Sequence, residues 1–534
     1  MVNRKIRQKG GPCCPTAVIV GCANSKSLCV YWDLCRSGSP PSDSIAHAIR
    51  AFRNFSTAIV SLLVRELEMT FYKLIFASAL LLMLSLRARA QDPASAVPDG
   101  PASDQAPSDQ DTESERWNLY FQATSIGDYH GTFHSPYESP FSLKDYPEHD
   151  VSLTSTLFFT ARLEENTFLV FDPEIAGGKG FSGVNGIADQ PNGEIPRVAS
   201  ATPKPYIARM LIQHDFGFGA EKERQESDEN QLAGERPVTR YSIYAGRFTI
   251  TDYFDDNNYT HDPRTQFMAW GIMYNGAWDY PADTRGYTWG IAQEFHTRKW
   301  ALRYGIVAEP KVANGQQFDR RLFRDHGQVW EAERRYSWRK RDGAIRILGY
   351  DNREQGGNYA EALKLAAEMG TTPDVSLTDR VGTLKYGTGI SFDQAITSDI
   401  GMFTRLGWND GKTQSFAFTA IDRLASGGVS IKATRWHRKF DVAGTSLTAG
   451  GLSAVHREYL AAGGYDFLIG DGRLNYAPEY VWESFYSARV VPGFYTTFDV
   501  QRDTNPAYNH DRGPVMIYSI RMHLALGLKP WLRQ

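Results

Sequence analysis

All five cysteines of this 534-residue chain fall at positions 13, 14, 22, 29 and 35, and none follows. A segment that crosses an oxidising compartment unfolded does better without free thiols. The Cys22/Cys29/Cys35 spacing fits no zinc pattern, so no metal is expected. The formal net charge is −3 with no long basic run, which removes nucleic acid as an expected partner. From Trp117 onward no apolar run approaches the roughly 20 residues a spanning helix needs. G-x-S-x-G, H-E-x-x-H and P-loop motifs are all missing, so neither catalysis nor a cofactor is expected.

What is present begins at Met69. The stretch MTFYKLIFASALLLMLSLRARAQDPAS has a lysine, a short apolar core over Leu74–Leu86 and Ala88-Arg89-Ala90 before Gln91. Its apolar core is about 13 residues, too short to span, and reads as a secretory signal peptide over residues 69–90. Because such a signal belongs at an N-terminus, we expect translation to start at Met69, with 1–68 as mis-assigned upstream sequence. The alternative is an N-terminal domain with a helix over Ser44–Glu68. Residues 91–116 are rich in Asp, Ser, Pro and Ala and read as a disordered linker.

From Trp117 the chain alternates in short segments. Val515–Leu526 places Met516, Tyr518, Ile520, Met522 and Leu524 on one face and Ile517, Ser519, Arg521 and His523 on the other. Two hairpins stand out. In 287–307, Tyr287, Trp289, Ile291 and Phe295 share a face, and the chain turns near Thr297-Arg298-Lys299. In 481–501, Trp482 and Tyr486 oppose Glu483 and Arg489 about a Val491-Pro492-Gly493 turn. Aromatic outer faces, short turns alternating with long polar loops, and the signal peptide point to an all-β transmembrane antiparallel barrel. Spread over roughly 420 residues, strands of about ten residues allow about 14 to 18 of them. A soluble sandwich or propeller would alternate too. Asn358–Gly370 reads as a short loop helix with Gly370 as its stop.

An inward face bearing charge and aromatics would meet solutes in transit. Pore-lining candidates are Arg247, Asp252, Asp255, Asp279, Arg334, Arg335, Arg435, Trp436, Glu483, Arg489, Arg521 and His523. Carboxylates and guanidiniums suit the hydroxyl rim of a sugar, and rings of charge can set ion preference. For each the plainer reading is a solvated charge or a wall salt bridge. Glu479 and Glu483 have the look of a glycosidase pair, yet in a strand they share the lumen face. Asp255-Asp256-Asn257-Asn258 lacks the EF-hand spacing and reads as a polar turn.

Long stretches resemble the carbohydrate-selective porin family (OprB-type outer-membrane porins). They are FDPEIAGGKGFSGVNGIADQPNGE (171–194), AGRFTITDYFDDNNYTHDPRTQFMAW (245–270), GWNDGKTQSFAFTAIDR (407–423), HREYLAAGGYDFLIGDGRLNYAPE (456–479) and NPAYNHDRGPVMIYSIRMH (505–523). The resemblance implies one 16-stranded barrel over residues 117–526 in a Gram-negative outer membrane. It also implies passive diffusion of glucose-like monosaccharides or small oligosaccharides past constriction charges. A general or anion-type porin without sugar preference is the alternative, and a periplasmic glycan-binding or glycan-cleaving β-protein the more distant one. Implied partners are outer-membrane lipid and the barrel-insertion machinery, with a homo-oligomer left open. The family tends to end on an aromatic. Here Leu526 holds that place, a tail of residues 527–534 follows, and Trp531 is the substitute.

Overall fold

The computed structural model describes residues 114–195 and 202–528, plus three two-residue strand segments, Val18–Ile19, Val30–Tyr31 and Arg89–Ala90. Apart from those segments, the expected 1–68 extension, the signal peptide, nearly all of the linker and the tail past 528 lie outside the described residues. Sixteen strands follow: β1 (Trp117–His130), β2 (Glu148–Glu164), β3 (Thr167–Gly177), β4 (Lys204–Gln225), β5 (Gly234–Phe248), β6 (Thr288–His296), β7 (Trp300–Ala308) and β8 (His326–Trp338); then β9 (Arg341–Gly356), β10 (Arg380–Ala395), β11 (Ile400–Asn409), β12 (Arg423–Lys432), β13 (Val442–Gly451), β14 (Glu479–Val491), β15 (Phe494–Thr504) and β16 (Val515–Leu528). Each pairs antiparallel with its sequence neighbours, and β16 returns to β1 from Ile517↔His130 to Leu528↔Leu119. Closure matters because a backbone N–H or C=O left unpaired in hydrocarbon costs several kcal/mol, and only a ring of strands has no edge. A sandwich or propeller keeps edges; this sheet has none. No described helix is long and apolar enough to cross a membrane, which says nothing against crossing by strands.

The period of two sorts the wall. In β16, Tyr518, Ile520 and Met522 are 52%, 50% and 48% exposed, while Arg521 between them is 0% exposed. Across the sheet Leu157, Ile291, Leu302, Ile347, Ile390, Leu406, Leu447 and Phe498 form an outer apolar band. Trp289, Trp408 and Tyr480 edge it toward one end, and Trp117, Trp300 and Trp338 toward the other. Inward residues are polar: Ser152, Thr154, Thr156 and Thr160 in β2, and Thr497, Asp499 and Gln501 in β15. One expectation fails at a strand boundary. Tyr287 precedes β6, is 6% exposed and points inward, not out with Trp289.

The barrel's two ends differ. One carries short turns, such as 165–166, 297–299, 339–340 and 492–493, together with the start of β1 and the end of β16. The other carries long connections, 178–203, 249–287, 357–379 and 452–478 among them. These loops hold helices α1 (Trp270–Met273), α2 (Tyr359–Met369) and α3 (Ala454–Ala461). The sequence-expected helix is α2. The Asn358 side chain accepts the Glu361 N–H at 3.2 Å, and Gly370 closes it at φ +66°. Tyr359, Leu424, Leu452, Tyr459, Leu460, Ile469 and Tyr508 form a hydrophobic cluster within this loop layer.

A buried imidazole ties three of these loops together. His456 in α3 has Nδ1 3.1 Å from Asp422 and Nε2 3.3 Å from Asp466, and its ring stacks on Tyr359 at 4.3 Å. Burial opposes charge on His456, but the two carboxylates outweigh it and lift its pKa to about 9.

Two outcomes follow from the wall and the loop layer. Ile520→Arg puts a charge into the lipid-facing band at a cost of about 2–4 kcal/mol. It should sharply lower the yield of heat-modifiable, folded barrel on gels. The His456 ion pairs contribute fully below the unfolded-state pKa of about 6.5 and are lost as pH rises through the folded value, a difference on the order of 3 kcal/mol. Amide exchange in 452–478, corrected for its intrinsic pH dependence, should therefore accelerate as pH rises from about 6.5 to about 9 and level off above that. His456→Gln should abolish that step.

Candidate functional site

Two long loops fold into the lumen, and inward wall groups hold them by their backbone. Loop 249–287 leaves β5 and reaches the far wall. There Glu483 of β14 accepts the N–H groups of Met268 (2.6 Å) and Ala269 (3.0 Å). Arg521 of β16 donates to the carbonyls of Pro263 (2.6 Å) and Gln266 (2.8 Å). Arg405 of β11 pairs with Asp255 at 2.9 Å and donates to the Ile272 and Thr260 carbonyls. Phe267 seats edge-on between Phe403 and Phe485, at 5.4 and 4.9 Å. Loop 178–203 is held the same way, Glu479 accepting the Ala188 and Asp189 N–H groups at 3.1 and 2.7 Å. The two loops lock together through Trp270 N–H to Gln190 O (3.0 Å) and Gly193 N–H to Met268 O (2.9 Å). A Cβ at Gly193 would sit 2.4 Å from the Met273 sulfur, so a larger residue there needs that side chain to move.

Between this shelf and the wall of β1–β7 lies a cavity of about 1050 Å³. Most of its arginines are bonded to carboxylates. Arg209 of β4 binds Asp252 through two hydrogen bonds, 2.7 and 2.6 Å, and lies 3.3 Å from Asp172. Arg264, from loop 249–287, reaches Glu174 at 3.0 Å and Glu194 at 3.1 Å. Burial opposes charge on Arg264, but those two carboxylates override it and hold its pKa above the ordinary arginine value. Tyr253, Trp270, Tyr274, Tyr280 and Tyr287 line the same space, and the Arg209 guanidinium stands 5.6 Å from the Tyr287 ring centroid.

The sequence-expected pore residues divide by place. Asp252 and His523 line this cavity. Asp255, Glu483 and Arg521 tether loop 249–287. Asp279 accepts the Phe416 and Ala417 N–H groups at 2.8 and 2.6 Å and pairs with Lys385 at 2.9 Å. Arg247 is engaged by Asp283 at 2.5 Å. Arg335 meets His296 at 2.6 Å near the short turns, and Arg489 stands over Phe440 at 3.8 Å. Three positions need correction. Arg334 lies on the outer face over Trp300, 4.8 Å from its ring, because its neighbours Glu333 and Arg335 take the inner face. Arg435 and Trp436 sit in the exposed turn Ala433–Trp436, outside the lumen. Glu479 and Glu483, the tempting carboxylate pair, are both occupied by backbone N–H groups. Sequence reading missed Arg209, Arg264 and Glu174.

A closed 16-strand barrel with an apolar belt, a polar lumen and loops narrowing its path is the build of an outer-membrane porin, a channel. The family described as carbohydrate-selective porin, OprB family, matches residues 181–526. The chain belongs to that family. Among solved structures it is similar to the high-pH structure of Pseudomonas putida OprB, with TM-score 0.57 and 12% identity over 77% of this chain and 93% of that one. It is also similar to Acinetobacter baumannii OccAB1, with TM-score 0.42 and 8% identity over 78% of this chain and 100% of that one. A third is Pseudomonas aeruginosa OccK11 (OpdR), with TM-score 0.38 and 8% identity over 78% and 96%. No curated protein matches the sequence.

If wall carboxylates hold the shelf, Glu483→Gln and Arg521→Ala should still give folded, heat-modifiable barrels. Each should add current noise in planar bilayers, because one anchor of loop 249–287 is weakened by about 1.5–3 kcal/mol.

Proposed function

We propose that the protein carries monosaccharides and small oligosaccharides of glucose type passively across the outer membrane. The observation that supports this reading is the pairing in the cavity. Four of the five arginines that line it are bonded to carboxylates, among them Arg209 with Asp252 and Arg264 with Glu174 and Glu194, while Arg285 donates to the Lys204 carbonyl and lies over the Tyr206 ring. Such pairs offer donors and acceptors side by side with little net field. A neutral polyol can use both, whereas a small ion gains little from either. The tyrosine and tryptophan faces beside them suit the C–H side of a sugar ring. Export through the signal peptide at 69–90 and insertion by the barrel-assembly machinery complete the reading.

Single-channel current through the purified protein, recorded while glucose and then other sugars are added, tests it. Concentration-dependent, sugar-selective interruptions are the expected result. Arg264→Ala should weaken the blocking constant about tenfold or more, the effect of one charge-assisted hydrogen bond. Open channels indifferent to every sugar would overturn sugar selectivity and leave a general or anion-type porin.

A further inference from the structure

The β4–β5 hairpin is longer than the barrel needs. β4 runs 22 residues. β3 accompanies it only as far as His214, and β6 joins β5 only from Arg240 onward. Beyond those points the two strands have only each other. Their ladder is broken by a bulge between Phe218 and Lys222, where Gly219 adopts φ +81° in open space. An isolated two-stranded ribbon is marginal in water. This one is docked, and onto the inside of the barrel.

Asn118 of β1, 1% exposed, donates from its amide to Ser227 Oγ (3.1 Å), Asp228 O (3.1 Å) and Gln231 O (2.7 Å). Tyr120, the next inward residue of β1, donates to Ser227 Oγ at 2.9 Å. Asn230 donates to the buried Asp172 of β3 at 2.9 Å. The tip 226–233 therefore bends back into the short-turn mouth, and Asp228, Glu229, Asn230 and Gln231 line the same cavity as Arg209 and Arg264. Glu229 is within electrostatic range of both arginines. Among the described residues its carboxylate accepts no hydrogen bond, unlike those of Asp252, Glu174 and Glu194.

We propose that this tip is a second constriction, in series with loop 249–287 at the periplasmic mouth, and that its docking on Asn118 and Tyr120 sets the channel's conductance while Glu229 sets its ion preference. Most of the docking contacts are hydrogen bonds, to which Ala233 adds an exchange with Glu115, its N–H donating to the carboxylate at 2.9 Å and its carbonyl accepting the Glu115 N–H at 3.0 Å; Leu232, 5% exposed, is the buried apolar side chain of the tip. Water can replace hydrogen bonds of this kind, so the tip can leave and return without unfolding the wall. The inference rests on the chain being a channel, not on its passing sugar.

Planar-bilayer recording of three folded variants tests it, with wild-type channels confirming the porin reading independently. Asn118→Ala/Tyr120→Phe should raise single-channel conductance about twofold and add switching between two levels, as expected when a pore-lining constriction widens. Glu229→Gln should leave conductance close to wild type and shift the reversal potential in a KCl gradient toward anions. Deleting 227–231, which leaves both β1 residues in place, should reproduce the higher conductance without switching, and decides the matter if the double variant does not fold. Wild-type conductance in the deletion variant overturns the constriction. A wild-type reversal potential in Glu229→Gln overturns the role of that carboxylate.

Discussion

Everything in this molecule depends on the ladder between β16 and β1. A hydrocarbon surrounding offers no hydrogen-bond partner, so a sheet crossing it must have no edge. Once the ring closes, side-chain direction is fixed strand by strand. Lipid demands apolar groups on one face, and a one-residue slip would turn Arg521 outward and Ile520 inward. Register, handed around the ring from strand to strand, is thus set by solvent on both faces at once.

The same constraint explains why so many acids and arginines are buried in the lumen. Once long loops fold inward, their backbone N–H and C=O groups leave water and need partners. The wall supplies them. Glu483 and Glu479 take N–H groups from two loops, and Arg521 and Arg405 satisfy carbonyls; Asp279, itself in loop 249–287, takes the Phe416 and Ala417 N–H groups and is held by Lys385 of the wall. Many of the inward charges are therefore structural, and those left facing the cavity, Arg209 and Arg264 with their carboxylate partners among them, are placed to meet a solute. The carbohydrate-selective reading rests on that smaller set.

How much could be read in advance follows from the same physics. Strands announce themselves by a period of two, so the hairpins, the closing strand and the inner positions of Glu483 and Arg521 were legible. Arg334 and Arg335 could never both face the lumen, since adjacent strand residues point to opposite sides; the pattern itself excluded one of them. Arg209 was hidden by a bulge, where β4 slips against Pro173 and the period shifts. Arg264 lies in a loop, where no period assigns a direction. Tyr287 was misread because it stands one residue before its strand begins.

Wall and filter consequently obey different rules. The wall is specified locally, each residue by its phase, and tolerates almost any polar group inward. The filter is specified by where loops land, through contacts between residues far apart in sequence, such as Met268 with Glu483. A change in loop 249–287 can therefore alter what passes without disturbing the ring, whereas a single charge in the outer band threatens the ring without touching the path. This separation fits a chain that shares its fold with the Pseudomonas putida OprB barrel at 12% identity. The barrel survives because its demands are general, and selectivity is carried by a few side chains whose positions no general rule fixes.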